Sequence, residues 1–334
     1  MSRPTTLLTV VLASAALVLT SACSASTAAL PGGPACGHPQ VQQVAHVSDA
    51  ASLAQALNTA VPGEAVVLAP GTYRGHFLAT TTGTESAPIL LCGSADSVLE
   101  GGTNGYTLHL DQADWWNISG LTIHGGEKGL VLDATSDTTI TLVRISGTAQ
   151  EAVHLRAASS RNTLKALHID HTGRATPRFG EGIYIGSAKE NWCRYTSCDP
   201  DRSDGNTITD CAFGPGITAE NIDIKEGTTG GMVTGNSFDG TGAAAVDSWV
   251  DVKGNDWVIH DNTGVHSPRD GAQVHVRLPG WGRGTTFTAN TFRVRPDGYG
   301  IRVQPGAANT TVACNNAVIG PAAGLSNIGC KDSR

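Results

Sequence analysis

Two short stretches carry the same pair of ionisable groups at the same spacing. "ENIDIKEG" at 220–227 alternates Ile222 and Ile224 with Asp223 and Lys225, and "SWVDVKGN", twenty-eight residues on, alternates Val250 and Val252 with Asp251 and Lys253. Period-two alternation marks a strand with one buried face, so each Asp and Lys projects from the opposite face. If the two strands are neighbours, the pairs stack and ammonium groups lie among carboxylates. A lysine crowded by other cations loses its proton more readily. Lys225, with Lys253 and Arg277 beside it, is therefore expected to have a lowered pKa and to serve as a neutral base. Removing a proton next to a carboxylate needs such a base, a cation to neutralise that carboxylate, and a donor for the leaving oxygen.

The rest of the chain supplies the reason for the strands to stack. A six-residue frame, apolar at its first position and apolar or Asn at its fourth, recurs as "ISGLTI" from Ile118, "ITLVRI" from Ile140, "LKALHI" from Leu164 and "ITDCAF" from Ile208. It continues as "VTGNSF" from Val233, "IHDNTG" from Ile259, "FTANTF" from Phe287 and "VACNNA" from Val312. The spacings are 22, 24, 44, 25, 26, 28 and 25 residues, the 44 being one period plus an insertion near 187–205. A second strand falls in nearly every period, and no convincing helix separates the strands. Such repeats describe an all-β solenoid, a single-stranded right-handed parallel β-helix, with equivalent residues stacked in columns about 4.8 Å apart. Asn236, Asn262, Asn290 and Asn315 share one frame position and form an expected asparagine ladder. Before the repeats, "SDAASLAQALNTAVPGE" reads as a capped amphipathic helix ending before Pro62-Gly63, placed to cover the open end of the first coil.

Helix, "PGEAVVLAPGTY", "GTESAPILL", then coils: this order resembles the pectin-lyase-like right-handed parallel β-helix superfamily over residues 44–320, and within it polysaccharide lyase family six, the alginate lyase and chondroitinase B type. The resemblance implies a lyase that cleaves a uronate-containing polysaccharide by β-elimination. It implies a calcium-binding Glu five residues before the catalytic Lys, which matches Glu220 and Lys225, and an acid on the next coil, where this chain has Lys253 in place of Arg. A second glutamate expected two residues before the first is Thr218 here, and Glu181 from the preceding coil is the candidate to replace it.

Aligning the second strands gives the expected outward columns. One holds Val131, His154, Tyr184, Asp223, Asp251, His275 and Arg302; the next holds Asp133, Arg156, Gly186, Lys225, Lys253, Arg277 and Gln304. A third, at the strand entrances, holds Lys128, Glu151, Glu181, Glu220, Ser248, Ala272 and Tyr299. The expected catalytic set is Lys225, Lys253, Arg277, Asp223, Asp251 and His275, with calcium at Glu220 and Glu181. Tyr184, Arg302, Trp192 and Trp249 are expected substrate contacts, with Tyr195 of the insertion and Trp281 as further sugar-stacking rings and His266 as a minor acid–base candidate. The partner expected is an anionic polysaccharide. Two other readings use the same surface: a hydrolase with Asp223 and Asp251 as its carboxylate pair, or a non-catalytic glycan-binding surface protein. C5-epimerisation of uronates begins with the same proton abstraction.

Composition narrows the classes. The 334 residues hold 41 glycines, 5% aromatic and 15% charged residues and a formal charge of −7, which suits turns and short strands and gives no nucleic-acid binder. There is no phosphate loop, zinc spacing or GxSxG motif. Residues 1–22 read as a signal peptide, 23–43 as a linker and 44–330 as the β-helix domain of an exported monomer. Cys23 in "LTSAC" is a candidate for lipidation, which would provide the only membrane attachment, with plain cleavage at an A-x-A site as the alternative. The remaining cysteines suit disulfides: Cys193 with Cys198, Cys314 with Cys330, Cys36 with Cys92, and Cys211 left over. "DPDRSDGN" in the insertion has a calcium-loop look, with an Asp-Gly turn as the plainer reading.

Overall fold

A computed structural model describes residues 41–332. The signal-peptide, Cys23 and Cys36 expectations lie outside these residues. Three parallel sheets run the length of a solenoid: an eleven-stranded sheet from Gln43–Val47 to Thr311–Val312, and two ten-stranded sheets. Ten coils each contribute one strand to every sheet, Gln43–Val47 adds the eleventh strand of the first, and the register is a straight stack. The site lies on the ten-stranded sheet that begins at Phe77–Ala79 and ends at Gly324–Ser326.

The recurring frame is the corner between the other two sheets. Its first residue ends inside one strand and its sixth inside the next. In seven successive frames the third residue has positive φ: Gly120, Leu142, Ala166, Asp210, Gly235, Asp261 and Ala289. That left-handed residue turns the chain sharply enough for the fourth side chain to point inward. Leu121, Val143 and Leu167 fill this place in the early coils, and asparagine fills it later. The Oδ1 atoms of Asn262 and Asn290 accept the backbone N–H of Asn236 and Asn262 at 3.0 and 3.1 Å. The last rung is Asn316, not Asn315: Asn316 Oδ1 accepts from the Asn290 N–H at 3.0 Å. The final corner has no left-handed third residue, so its frame slips by one.

Cys211 stands at the head of the ladder, its N–H bonded to Asn236 Oδ1 at 2.9 Å. It is the one free cysteine among the described residues. Cys193–Cys198 and Cys314–Cys330 are disulfides, and Cys92 is also disulfide-bonded, its partner lying outside the described residues. Burial pushes the Cys211 thiol up to about 12, so there is almost no thiolate at neutral pH. In a chain that begins at residue 36 and so lacks Cys23, a thiol-specific reagent is expected to leave the native protein unlabelled and to modify one cysteine once denaturant is added; fast native labelling would contradict this placement.

The N-terminal helix Ala50–Thr59 starts at Asp49, whose carboxylate accepts the Ser52 N–H at 2.9 Å while the Asp49 N–H donates to the Ser52 hydroxyl at 3.3 Å. Leu53, Ala56 and Leu57 are buried in the main core. That core is stacked Leu, Ile, Val and Phe, and each fully buried side chain contributes about 1.5–3 kcal/mol relative to exposure.

Candidate active site

Neighbouring strands Ile183–Ile185, Ile222–Ile224, Val250–Val252 and Ala272–Val274 build the site. Their inner residues anchor the core, and the register stacks Tyr184, Asp223, Asp251 and Gln273 on the outer face. The two Asp–Lys pairs of the sequence are neighbours in space.

They form an alternating ladder of charge. Lys225 Nζ lies 2.5 Å from Asp223 Oδ2, and Lys253 Nζ lies 2.6 Å from Asp223 Oδ1 and 2.8 Å from Asp251 Oδ2. His275 Nε2 then lies 2.9 Å from Asp251 Oδ1. These groups are not a solvated face: Asp223, Asp251 and Lys253 are buried. In such surroundings an unpaired charge costs several kcal/mol, so every rung depends on the next.

This pairing reverses the expectation for Lys225. Burial works against its charge, but the Asp223 carboxylate outweighs burial and holds the ammonium well above the ordinary lysine range. Lys253 is held up in the same way by Asp223 and Asp251. Crowding by cations loses to intervening carboxylates because Lys225 touches Asp223 at 2.5 Å and Lys253 touches Asp223 and Asp251 at 2.6 and 2.8 Å. Lys253 spends its ammonium on two carboxylates, so it is a poor donor to a leaving oxygen. Asp251 is buried, yet Lys253 and His275 keep it well below the usual carboxylate range. Asp251 therefore does not offer the raised acid that a hydrolase pair needs.

Beside the ladder, two glutamates with no cation bonded to them among the described residues meet Asp223 of the ladder. One oxygen each of Glu181, Glu220 and Asp223 lie within 4.8 Å of one another. Burial, then the charges of Asp223 and its neighbours, raises Glu181 well above its ordinary value and Glu220 to about 8. No described side chain bonds to either glutamate. Buried all-oxygen donors with unspent charge fit a hard cation such as calcium. Asp223 completes this set, whereas Thr218 donates its hydroxyl to the Pro177 carbonyl at 2.8 Å.

Tyr184 faces this cluster. Lys225 Nζ lies 4.6 Å from its ring centroid, and its hydroxyl has no hydrogen-bond partner among the described residues. Burial first, then Asp223 and Glu181, keep the phenol protonated far above its usual range. A buried network lies below: the His154 ring packs on Tyr184 at 4.5 Å, and Glu151 Oε1 lies 2.8 Å from His154 Nδ1 and 2.6 Å from Lys128 Nζ. Burial opposes ionisation of Glu151, but His154 and Lys128 hold its carboxyl down to about 2. A depressed carboxyl adds stability that is present above pH 4.5 and lost as pH falls toward 2. Thermal melts are therefore expected to lose on the order of 1–3 kcal/mol across that window, and Glu151→Gln is expected to flatten the loss. An unchanged pH slope in the variant would contradict the pairing.

The chain fold is shared with solved structures. An alginate lyase from Paenibacillus sp. str. FPU-7 is 37% identical, with a TM-score of 0.81 over 86% of this chain and 99% of that one. The chain belongs to the pectin-lyase-like parallel β-helix lyases, with a family-six-like fold. Pectate lyase Pel9A, at 15% identity and TM-score 0.62, covers 86% of this chain and 79% of its own. A mannuronic acid specific family 6 lyase from human gut microbiota, at 16% and 0.53, covers 87% and 77%. Both share the fold. No protein-family model and no curated protein matches the chain.

Within this lyase several expected site residues fall elsewhere. Gln273, not His275, stands in the Asp251 column, and His275 follows Lys253, its N–H on the Val252 carbonyl at 2.8 Å. Arg277 is thereby carried past the strand end into solvent and joins no ion pair among the described residues. Trp249 is fully buried: the column Phe213, Phe238, Gly264, Phe292 has a gap at the glycine, and the indole fills it at 6.2 Å from Phe238 and 5.4 Å from Phe292. Trp192 is buried within the insertion, its indole N–H on the Ser187 carbonyl at 2.9 Å. "DPDRSDGN" holds no calcium loop: Asp201 accepts the Ala157 and Ala158 N–H groups, and Asp204 pairs with Arg202. Arg302 stays at the groove with its Nε 2.9 Å from Asp270. Asp270, buried and bonded also to Gln273 and the Tyr299 N–H, went unseen because only the true register brings it into the entrance column beside Glu220 and Ser248.

Proposed function

We propose that this lyase cleaves an anionic, uronate-containing polysaccharide by β-elimination, with alginate the first substrate to test. The observation that carries the reading is the meeting of a free phenol, Tyr184, and an ammonium, Lys225, beside two glutamates, Glu181 and Glu220, that pair with no described cation. The alginate lyase at 37% identity supports the substrate class.

In the reaction, the proton on the carbon bearing the sugar carboxylate leaves, a carbon–carbon double bond forms, and the bond to the glycosidic oxygen breaks. Lys225 is assigned the proton abstraction, for which its ammonium first gives a proton to solvent, and Tyr184 the donation to the departing oxygen, since its phenol stays protonated. Asp223 keeps Lys253 on its other oxygen when Lys225 turns to substrate, so the buried carboxylate is never left bare. Glu181, Glu220 and Asp223 would hold the cation, which when bound supplies positive charge that shields the substrate carboxylate and weakens the grip of Asp223 on the Lys225 proton. His275 and Arg302, both part-exposed along the groove, draw the polyanion to a protein that is acidic overall. The disulfides suit work in an oxidising compartment outside the cytoplasm; lipidation at Cys23 belongs to the same proposal.

The test is ultraviolet absorbance of unsaturated uronate ends on alginate, pectate, chondroitin, dermatan and heparinoid polymers, with calcium or with a chelator. The expected result is a rise on one polyuronate, slowed at least several-fold by chelation and restored by calcium. New reducing ends without absorbance would instead favour a hydrolase, and rates indifferent to chelation would remove calcium from the account.

A further inference from the structure

How the site takes its polymer depends on where the groove stops, and this inference rests on the lyase reading above. Adjacent coils rise about 4.8 Å, close to the length of one pyranose, so the columns act as a ruler for a glycan lying along the solenoid. Tyr184 and Lys225 occupy neighbouring coils. Toward the C-terminus three basic side chains remain part-exposed, with buried Lys253 between them: Lys225 is 14% exposed, His275 27% and Arg302 25%.

Toward the N-terminus the floor is sealed. The next coil carries His154 and Arg156, at 8% and 4% side-chain exposure. Arg156 stands in the same column as Lys225 and has the planar fork suited to a uronate carboxylate, yet four of its five N–H donors are spent. Its Nε and Nη2 bind Asp133 at 2.5 and 2.9 Å, its Nη1 binds the Tyr195 hydroxyl at 3.1 Å, and its Nη2 binds the Tyr106 hydroxyl at 3.0 Å. The Tyr195 ring lies 4.3 Å from the guanidinium. Tyr195 comes from the insertion, which is fixed: the Cys193–Cys198 disulfide brackets it, and buried Asp201 ties the insertion to the Ala157 and Ala158 N–H groups at 3.0 and 2.9 Å.

We propose that Tyr195 is a specificity-determining residue that closes the groove one coil beyond Tyr184, so that the lyase works from a chain end and releases products of one or two sugars. Without the ring, Arg156 regains an open donor and the polymer runs on past the site.

The experiment follows viscosity and product size together with absorbance on sodium alginate and polygalacturonate, for the wild type, Tyr195→Phe and Tyr195→Ala, with melts as a fold control. On the polymer that is cut, the wild type and Tyr195→Phe are expected to release the smallest products from the first time point while viscosity barely falls. Tyr195→Ala is expected to yield longer oligomers early and to lower viscosity several-fold faster per bond cut. A broad ladder of unsaturated oligomers from the wild type, or a product pattern unmoved in Tyr195→Ala, would overturn the wall and leave the lyase reading standing. No unsaturated product from any form would overturn both. If Tyr195→Ala fails to fold, the wild-type product series decides.

Discussion

Lys225→Ala is expected to lower turnover of the polyuronate by about 10²–10⁴-fold, the range of a positioned proton-transfer group, while binding stays within a few-fold. The separation follows from position. Lys225 sits at the accessible end of the charge ladder, and its loss leaves Asp223 still paired with Lys253 at 2.6 Å. The variant should therefore fold. Lys225→Arg keeps charge but cannot act as a base, so it is expected to be as inactive as the alanine form. Turnover retained in either would move proton abstraction to another residue, and loss of folding would show that the ladder cannot spare its end.

Lys253→Met is expected to have the largest effect on stability, about 3–5 kcal/mol, the cost of removing one partner from a buried ion pair. Among the described residues, Lys253 is the only cation that touches both Asp223 and Asp251. Without it those carboxylates, stacked on adjacent strands, face one another with Lys225 and His275 at the outer flanks. Urea unfolding should show a lower midpoint at an unchanged slope. A loss below about 1 kcal/mol would mean that the ladder is solvated and contributes like an ordinary surface pair.

Both effects depend on a register that the sequence discloses only in part. The apolar frame and the repeated Asp–Lys strands fix the solenoid and place Tyr184, Asp223 and Asp251 in one column, because each sits between two apolar residues of an otherwise matching strand, whatever length the insertion adds to its coil. The reading slips at the following coil. "VHVR" from Val274 alternates as well as the true strand Ala272–Val274, and a shift of two residues keeps every side chain on its proper face. Apolar pattern cannot separate the two; Asp270, buried with three partners, favours the real one, and its role is visible only in three dimensions. Trp249 shows the same limit. An aromatic next to charged residues looks like a platform, and only the glycine at 264, aligned with Phe238 and Phe292, reveals an interior space for it. The state of Lys225 was hidden for another reason. Sequence shows which charges are near, whereas the sign of the shift depends on contacts of 2.5–2.8 Å.

The most direct test of the central claim is the mass of the products formed from alginate in water enriched in oxygen-18. Elimination transfers no solvent oxygen, so the account predicts new non-reducing ends one water lighter than a saturated sugar, with no label in the fresh reducing ends at early times. Saturated products that carry one heavy oxygen per bond cut would show hydrolysis, and would contradict both the assignment of Lys225 and Tyr184 and the lyase reading itself.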